Sequence, residues 1–421
     1  MRALGVLLAF WLAAGPATVQ PARRAVLIDV DGVRADTFAR IFESGRAPNL
    51  ARIFASALWF EHATTVIPTV TMAAQASIVT GTLPSRHGVP GNQWYDREHS
   101  TLVDYMASAG LSCVYGFTVF GGPGCLGGLG NRHLQAPTLY EAAAAKGLDS
   151  VVAFHEYWKG ATRPVTPTAA EARAFIQGNK LAFRIFDNEM AGRVVEELKA
   201  RGLPAILTIY FAGSDTVAHT DGIAAQPGYF AEVIDPAMGK ILDTFAALDP
   251  DWRTHMLFLL VSDHGRTDSV AHAEDVDLLA KLTAALPPGA RVAHNTGTAY
   301  VYLEQPAPGL AVALEKAFPA AIAGVRARNE GDPARAGELI VTLRAGHYFG
   351  NDGTGSHHGG VACEDLSIPL VVAAGGIAPG HSAAEVNVTR VARTIADYVG
   401  FPMESAAPAL PILPAQGPDT K

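Results

Sequence analysis

The chain has 421 residues, of which 49% are hydrophobic and 17% charged, and its formal net charge is −8. Such a chain can bury a sizeable core, and it lacks both a long disordered polyelectrolyte and the basic surface that binding of a nucleic acid duplex requires. Its length suits one large α/β enzyme domain with an insertion. If the substrate is an anion, its attraction must come from a local group such as bound metal.

Residues 1–20, MRALGVLLAFWLAAGPATVQ, have the pattern of an export signal. Arg2 supplies positive charge, Leu4 to Ala14 form an apolar run, and small residues around Ala17 provide a cleavage site. The apolar run is short for a membrane span of roughly 20 residues, which favours a cleaved signal peptide over an uncleaved anchor. We therefore expect a periplasmic or secreted protein with no transmembrane segment after signal cleavage.

Apolar, β-branched runs recur along the chain and alternate with helical patterns. The runs are AVLIDV (25–30), SVVAF (150–154), AILTIYF (205–211), MLFLLV (256–261) and IPLVVAA (368–374). This alternation predicts an α/β fold over residues 24–402, with a mostly parallel central sheet and helices on both faces. Residues 271–350 differ in pattern and are interpreted as an inserted subdomain. The Pro/Ala-rich residues 405–421 are predicted to be a disordered tail.

The three cysteines do not predict a metal site. Cys113 and Cys125 are close enough in sequence to bridge a loop, which would leave Cys363 unpaired. Spacing alone does not decide whether they form a disulfide. Because no CxxC motif is present, a cysteine-based zinc site is not expected.

Acidic and histidine residues stand at the predicted strand ends, where the functional residues of parallel sheets collect. They are Asp31, Asp215 with His219 four residues later, Asp263 with His264, and His357 with His358 before the last strand. Taken singly, they could be turn residues, helix caps or a surface pair. Taken together, the three carboxylates and three of the imidazoles, with one of the adjacent His357 and His358 counted, are what two adjacent divalent ions need. This donor set suits zinc better than manganese or iron.

A nucleophile is predicted in the stretch PTVTMAAQ, residues 68–75. Its hydroxyl-rich turn leads into a helical pattern and would put Thr71 near a helix N-terminus. A metal can lower the pKa of a bound oxygen by many units and so activate such a hydroxyl. The alternative is that Thr71 serves only as a helix N-cap.

Several motifs together resemble the alkaline phosphatase superfamily, and within it the nucleotide pyrophosphatase/phosphodiesterase branch. They are DVDGVRAD (29–36), APNLARIFASALWFEHATTVIPTVT (47–71), TGTLPSRHGVPGNQWYD (80–96), YFAGSDTVAH (210–219), SDHGRTD (262–268) and HGG…IPL (358–370). The resemblance extends from about residue 24 to about residue 402. It implies a phosphoric ester hydrolase that acts on small phosphate esters, and it implies no protein partner.

Carried over residue by residue, the resemblance implies two Zn²⁺ ions. It assigns Asp215, His219 and His358 to one ion, and Asp31, Asp263, His264 and Thr71 to the other. It also implies that Thr71 attacks phosphorus, while Asn92 and the backbone N–H after Thr71 bind a phosphoryl oxygen. We choose His358 over His357 because it matches the His-Gly pattern. His87 matches a motif position that is not a ligand and is expected to be structural.

Three residues bear on the substrate. Met72 replaces the family phenylalanine that forms one wall of a nucleobase slot, whereas Tyr210 matches the opposite wall. Trp158, in HEYWKG (155–160), stands at a further substrate-contact position. Core packing is the alternative for both Tyr210 and Trp158. We expect Met72 to weaken any preference for nucleotides.

The sequence also bears on which activity of this superfamily is expected. Threonine-dependent phosphate monoesterases of this superfamily carry a Lys-x-Arg/Lys pair after the strand that corresponds to SVVAF, and HEYWKG lacks this pair. This favours a phosphodiesterase, with a monoesterase or a phosphonate hydrolase as the alternative. The stretch PTVTM lacks the C/S-x-P-x-R motif of sulfatases. A degenerate binding protein would have lost ligand residues, and all six are present.

Overall fold

The computed structural model describes residues 22–107, 128–168, 171, 180–404 and 407–412. The expected signal peptide and the pairing of Cys113 with Cys125 lie outside these residues. Cys363 is a free, exposed thiol. In the part of the chain that is described, no helix combines the length and the apolar character needed to cross a membrane.

The described residues contain sixteen strands and fourteen α-helices. The strands are β1 (Arg24–Val30), β2 (Leu58–Thr64), β3 (Gln93–Asp96), β4 (Thr101–Asp104), β5 (Ser150–Ala153), β6 (Arg163–Val165), β7 (Ile206–Phe211), β8 (Met256–Val261), β9 (Thr267–Asp268), β10 (Arg291–Asn295), β11 (Thr298–Tyr302), β12 (Ile322–Ala327), β13 (Leu339–Leu343), β14 (Ser356–His357), β15 (Leu370–Ala373) and β16 (Gly380–Asn387). The helices are α1 (Ala35–Glu43), α2 (Pro48–Phe54), α3 (Thr71–Thr80), α4 (Pro84–His87), α5 (Leu129–His133), α6 (Leu139–Ala144), α7 (Lys180–Arg201), α8 (Gly213–Asp221), α9 (Gln226–Tyr229), α10 (Asp235–Leu248), α11 (Leu278–Ala284), α12 (Leu310–Ala317), α13 (Cys363–Leu366) and α14 (Arg390–Val399).

The central sheet has eight strands in the order β16-β2-β15-β8-β1-β7-β5-β6. β15 is antiparallel to its neighbours β2 and β8, and the other neighbouring strands of the sheet run parallel. Every residue of β5, β7 and β8 is buried, as expected for strands covered on both faces. The predicted mostly parallel α/β fold is confirmed.

Hydrophobic cores lie on both faces of this sheet. Along β1, Val26 and Ile28 belong to one core cluster and Ala25 and Leu27 to the other, because alternate side chains of a strand point to opposite faces. Helices α7 and α10 pack into the first cluster, and helices α3 and α14 into the second. The sheet is therefore the middle layer of three.

A second sheet occupies the part of the chain predicted to be inserted. Its strands β10, β11, β13 and β12 are antiparallel neighbours in that order. Val301 and Val341 from this sheet, Leu314 from α12 and Leu282 from α11 share a separate hydrophobic cluster. This unit can therefore bury apolar surface of its own.

Part of the segment predicted to be disordered is packed. Leu410 is 5% exposed and belongs to the core cluster around α14. Its backbone N–H donates to Thr394, and the N–H of Ala407 donates to the carbonyl of Gly81. Residues 407–412 therefore differ from the expected disordered tail, because Leu410 is buried in the core cluster around α14.

The central strand order determines where the functional residues meet. β1 is flanked by β7 and β8, and all three run parallel. Their carboxyl ends therefore lie at one edge of the sheet. Asp31 directly follows β1, α8 begins after one intervening residue beyond β7, and Asp263 follows β8 after one intervening residue.

Candidate metal centre

The first group of ligand-type residues comprises Asp215, His219 and His358. The Nε2 atoms of the two histidines are 3.1 Å apart, and Asp215 oxygens lie 3.2 Å from His219 Nε2 and 3.7 Å from His358 Nε2. Asp215 and His219 are four residues apart on α8, so both point from one face of this helix. His358 is contributed by the segment after β14, so this group depends on the tertiary structure.

The second group comprises Asp31, Asp263 and His264. His264 Nε2 is 3.3 Å from an oxygen of Asp31 and 3.6 Å from an oxygen of Asp263. The two groups adjoin, because the rings of His264 and His358 stack with centroids 3.7 Å apart. One ligand atom each from Asp31, Asp215 and His264 also lie within 4.8 Å of one another. The six residues thus form one compact centre.

The unpaired atoms of this centre fit a cation. Among the described residues, Asp31 Oδ1 and Asp263 Oδ2 are buried and accept no hydrogen bond. His264 Nδ1 lies 2.9 Å from the carbonyl oxygen of Gly265, and His358 Nδ1 lies 2.9 Å from that of Thr69. A carbonyl can only accept, so each Nδ1 carries the proton and each Nε2 presents a lone pair to the cluster.

Charge repulsion also favours a bound cation. Burial, followed by the neighbouring Asp263 and Asp215 carboxylates, raises the pKa of Asp31 well above its usual value. Burial likewise raises the pKa of Asp263 to about 6, against the attraction of His264. Burial and the adjacent His264 lower the pKa of His358, which keeps its imidazole neutral. Crowded carboxyl groups and neutral imidazoles are a donor set for divalent metal.

A buried arginine absent from the predicted site also holds Asp215. Arg266 is fully buried, and its guanidinium donates to Asp215 Oδ1 at 2.5 Å and to the backbone oxygen of Asp215 at 3.0 Å. Gly32 permits this approach: its φ is +64°, and a Cβ there would lie 2.5 Å from Asp215 Oδ1. Arg266 lies in the SDHGRTD motif, but a single buried cation has no periodic signal that would distinguish it from a surface arginine.

Thr71 stands at the start of α3 beside the second group. Its Oγ1 is 3.4 Å from His264 Nε2, and its side chain is largely buried. The structure does not support the alternative role as N-cap, because Val70 precedes the helix and no side chain caps it. Thr71 is the first helical residue, so it lies where the helix dipole favours an anion.

Asn92 contacts the residue that follows Thr71. The backbone N–H of Met72 donates to Asn92 Oδ1 at 3.0 Å. This backbone N–H, expected to bind a phosphoryl oxygen, is therefore engaged by Asn92 in this structure. The bond orients the Asn92 amide, whose NH₂ group can donate to an anion next to Thr71.

The predicted substrate contacts are more buried than expected. Met72 is 0% exposed and Tyr210 1% exposed, and the hydroxyl of Tyr210 donates to Asp31. This hydrogen bond positions Asp31, and the base-slot role of Tyr210 stays a prediction. Trp158 is half-buried against the core cluster of α3, and its backbone N–H donates to Asn131. Met72 and Trp158 pack with the same core cluster, which agrees with the core-packing alternative for Trp158.

Two histidines outside the six behave differently from the ligand set. His357 pairs with Thr267 in the short β9–β14 ladder, whereas it is His358 that approaches Asp215 and His219. His87 is fully buried, with Nε2 3.0 Å from Ser77 Oγ and Nδ1 accepting from the N–H of Val89 at 3.2 Å. This environment agrees with its expected structural role.

Beneath the centre lies a buried polar pair that was not expected from sequence. His155 Nε2 is 3.4 Å from Asp29 Oδ2, and both side chains are fully buried. Burial raises the pKa of Asp29 and lowers the pKa of His155 to about 3. Asp29 is in β1, two residues before Asp31. No pattern in the sequence pairs it with a residue more than a hundred positions away.

Comparison with known families now identifies the chain. The model of the type I phosphodiesterase / nucleotide pyrophosphatase family matches residues 25–359. The chain belongs to this family. It is therefore a phosphoric ester hydrolase of the alkaline phosphatase superfamily, a class in which metal dependence is expected and small phosphate esters are the fitting substrates.

Solved structures of low sequence identity share the fold. Wild-type alkaline phosphatase PafA superposes with a TM-score of 0.71 at 16% identity, over 93% of this chain and 98% of that chain. An inactive variant of murine ectonucleotide pyrophosphatase / phosphodiesterase 5 in complex with AMP gives a TM-score of 0.67 at 14% identity, over 92% and 97%.

One curated relative matches over a short segment. Alkaline phosphatase PafA from Elizabethkingia meningoseptica is 56% identical over 32 residues, which are 8% of this chain and 6% of that protein. Because the match is so short, the activity and the substrates of that relative are not assigned to this chain.

Proposed function

We propose that this protein is an exported two-zinc phosphodiesterase in which Thr71 is the nucleophile. The observation that carries the proposal is the adjacency of the six ligand-type residues to Thr71, whose Oγ1 lies 3.4 Å from His264 Nε2. The pattern of residues 1–20 supports export to the periplasm or secretion. The imidazole and carboxylate donors support zinc.

The residues that would hold the ions are those grouped above. Asp215, His219 and His358 would hold one zinc, and Asp31, Asp263, His264 and Thr71 the other. When bound, zinc supplies Lewis-acid stabilisation of negative charge and lowers the pKa of an oxygen nucleophile. Tyr210 positions Asp31 through its hydroxyl, and Arg266 positions Asp215.

The reaction at Thr71 is a two-step displacement. Thr71 Oγ1 attacks phosphorus in line, the bond to the leaving oxygen breaks, and a phospho-threonine forms. Water then hydrolyses this ester and restores the threonine. Asn92, oriented by the N–H of Met72, donates to a non-bridging oxygen in both steps. The start of α3 adds a favourable dipole for the phosphoryl group.

The surroundings favour a diester over a monoester. Where related monoesterases carry paired cations, this chain has Glu156, which is 2% exposed and whose backbone N–H donates to Gln75, one helical turn after Thr71. Lys159, the nearest lysine in the sequence, lies 3.5 Å from Glu141 in a surface ion pair. A monoester dianion would bring an extra negative charge that this local set of residues does not compensate.

The test compares bis(4-nitrophenyl) phosphate with 4-nitrophenyl phosphate on purified protein. We expect kcat/KM to be at least about tenfold higher for the diester, a difference of about 1.4 kcal/mol in transition-state stabilisation. Metal analysis of the same protein reports whether zinc is present. A higher kcat/KM for the monoester would contradict the proposed substrate class, and activity in the absence of bound metal would contradict the proposed chemistry.

A further inference from the structure

A second cluster of ligand-type side chains lies outside the centre around Thr71. It consists of His272, Glu274 and His347, each of which offers one ligand atom within 4.8 Å of the other two. The two imidazole rings stack with centroids 3.9 Å apart and an angle of 17° between their planes. The cluster shares no residue with the six ligand-type residues near Thr71, and the proposed reaction does not use it.

His347 is oriented by a buried carboxylate. Its Nδ1 lies 2.9 Å from Asp275 Oδ1, and the Asp275 side chain is fully buried. The second oxygen of Asp275 accepts from the backbone N–H of Tyr348 at 3.1 Å. A carboxylate accepts the Nδ1 proton, which leaves the lone pair of His347 on Nε2. Carboxylate–histidine pairs of this kind are the usual support for a histidine that binds metal through its other nitrogen.

The two ligand-bearing segments are already held together by their backbones. The N–H of Gly350 donates to the carbonyl of Asp275 at 2.9 Å, and Asn351 Nδ2 donates to the carbonyl of Val270 at 3.0 Å. Within the segment that carries His272 and Glu274, the N–H of Asp275 donates to the carbonyl of His272 at 3.0 Å. These hydrogen bonds hold the two segments next to each other, so little ordering of the backbone would be needed for binding.

The donor set suits a transition metal. Two imidazole nitrogens and one carboxylate oxygen are a common three-residue zinc set, with a fourth position left for water. One shared cation would attract both imidazole nitrogens and the Glu274 carboxylate. All three side chains are half-buried, so water can reach the open position.

We propose that His272, Glu274 and His347 bind a zinc ion that is separate from the two ions proposed beside Thr71. His272 and Glu274 lie where the chain enters the subdomain built on the second sheet, and His347 lies where it leaves that subdomain. The ion therefore cross-links the two connections between the subdomain and the central sheet. Its role is to stabilise this junction, and the proposal does not depend on the function of Thr71.

The experiment counts zinc in full-length purified protein by mass spectrometry after equilibration with zinc and removal of the excess. Glu274→Gln keeps the size of the side chain and removes its charge, and His347→Asn removes one imidazole. We expect each variant to contain about one zinc equivalent fewer than the wild type and to retain turnover of bis(4-nitrophenyl) phosphate. His381→Asn is the matched control, because His381 is an exposed histidine that pairs with Glu61, and its zinc content should equal that of the wild type.

The difference in zinc content between a variant and the wild type tests this proposal separately from the proposed function. If folded Glu274→Gln contains as much zinc as the wild type, the third site is overturned, however many zinc ions the wild type contains. A total of one in the wild type and none in the variant would support the third site and contradict the two-zinc centre. If His347→Asn fails to fold, Glu274→Gln decides alone, with circular dichroism as the measure of folding. Thermal unfolding provides a second supporting result. Zinc should raise the midpoint of unfolding less in Glu274→Gln than in the control.

Discussion

Charge balance at Asp215 depends on one buried guanidinium. Burial by itself raises the pKa of Asp215, but Arg266 and then His219 reverse this effect and hold it well below its usual value. Asp31 lacks such a partner, and its pKa is raised. The two groups of ligand-type residues therefore differ. Arg266 favours the ionised form of Asp215, whereas no arginine or lysine does so for Asp31 among the causes of its pKa shift.

Arg266→Met should strongly destabilise the protein in the presence of a metal chelator. The substitution leaves the largely buried Asp215 carboxylate without the fully buried guanidinium that pairs with it. Loss of one partner of a buried ion pair costs about 3–5 kcal/mol. Urea unfolding with chelator present measures this loss. Arg34→Met is the control, because Arg34 pairs with Asp36 in an exposed ion pair. Equal stability of Arg266→Met and wild type would contradict the assigned contact.

Thr71→Ala should reduce kcat by several orders of magnitude while the protein remains folded. The substitution removes the oxygen that forms the covalent intermediate. Steady-state turnover of bis(4-nitrophenyl) phosphate measures the loss, and zinc content is measured in parallel to show that the other ligands still bind. Thr69→Ala is the nearby control, because the Thr69 hydroxyl donates to the carbonyl of Gly360 and accepts from Gly359. Turnover near the wild-type value in Thr71→Ala would exclude the nucleophile.

Asn92→Ala should lower kcat by about 10²–10³, the usual loss for one donor to a developing oxyanion. The loss should be smaller than in Thr71→Ala because the covalent path remains. Since Asn92 also accepts from the N–H of Met72, the midpoint of thermal unfolding is measured alongside. A reduced midpoint with unchanged kcat would assign Asn92 a purely structural role.

At the scale of elements, α7, α8 and α9 meet around a buried carboxyl. Asp187 of α7 accepts from the hydroxyl of Tyr229 in α9 at 2.7 Å and from the N–H of Gly213 at the start of α8 at 3.2 Å. Burial raises the pKa of Asp187 to about 7, although these hydrogen bonds oppose the increase. The junction that positions α8, and hence Asp215 and His219, is therefore sensitive to pH.

Asp187 should make the junction less stable as the pH rises. Its pKa is higher in the folded chain than the unfolded value of about 3.9, so its stabilising contribution is complete below pH 4 and is lost as the pH rises to about 7. The difference between the folded and unfolded pKa values of Asp187 corresponds to a loss of roughly 4 kcal/mol in the free energy of unfolding above pH 7. Relative to wild type, Asp187→Asn should therefore gain stability between pH 4 and pH 7. Urea unfolding across this range measures the gain, and a difference independent of pH would contradict the assignment.

At the scale of the whole molecule, residues 407–412, which follow α14, pack against one of the two cores of the central sheet. Leu410 is 5% exposed and packs with the cluster that contains α3, the helix on which Thr71 stands. Arg390 also donates to the carbonyl of Ala409. This segment therefore packs on the same face of the central sheet as α3 and helps to support that helix.

Leu410→Ala should reduce the free energy of unfolding by about 2–5 kcal/mol, the usual range for a buried leucine. Glu404→Ala is the control, since Glu404 is exposed and in the same part of the chain. Chemical denaturation measures both. A loss in Leu410→Ala no larger than in the control would show that the segment is only loosely attached in solution.

The sequence by itself determined the layered α/β fold and the strand ends at which Asp31, Asp215 and Asp263 stand. These features follow from local properties: apolar runs become buried strands, and parallel strands end at one edge. The tertiary structure decided which distant residues support them: Arg266 at Asp215, Tyr210 at Asp31, and His347 beside His272. It also decided that Leu410 is packed. Such contacts join residues far apart in the chain, and their formation depends on side-chain direction and loop conformation, which hydrophobic periodicity does not specify.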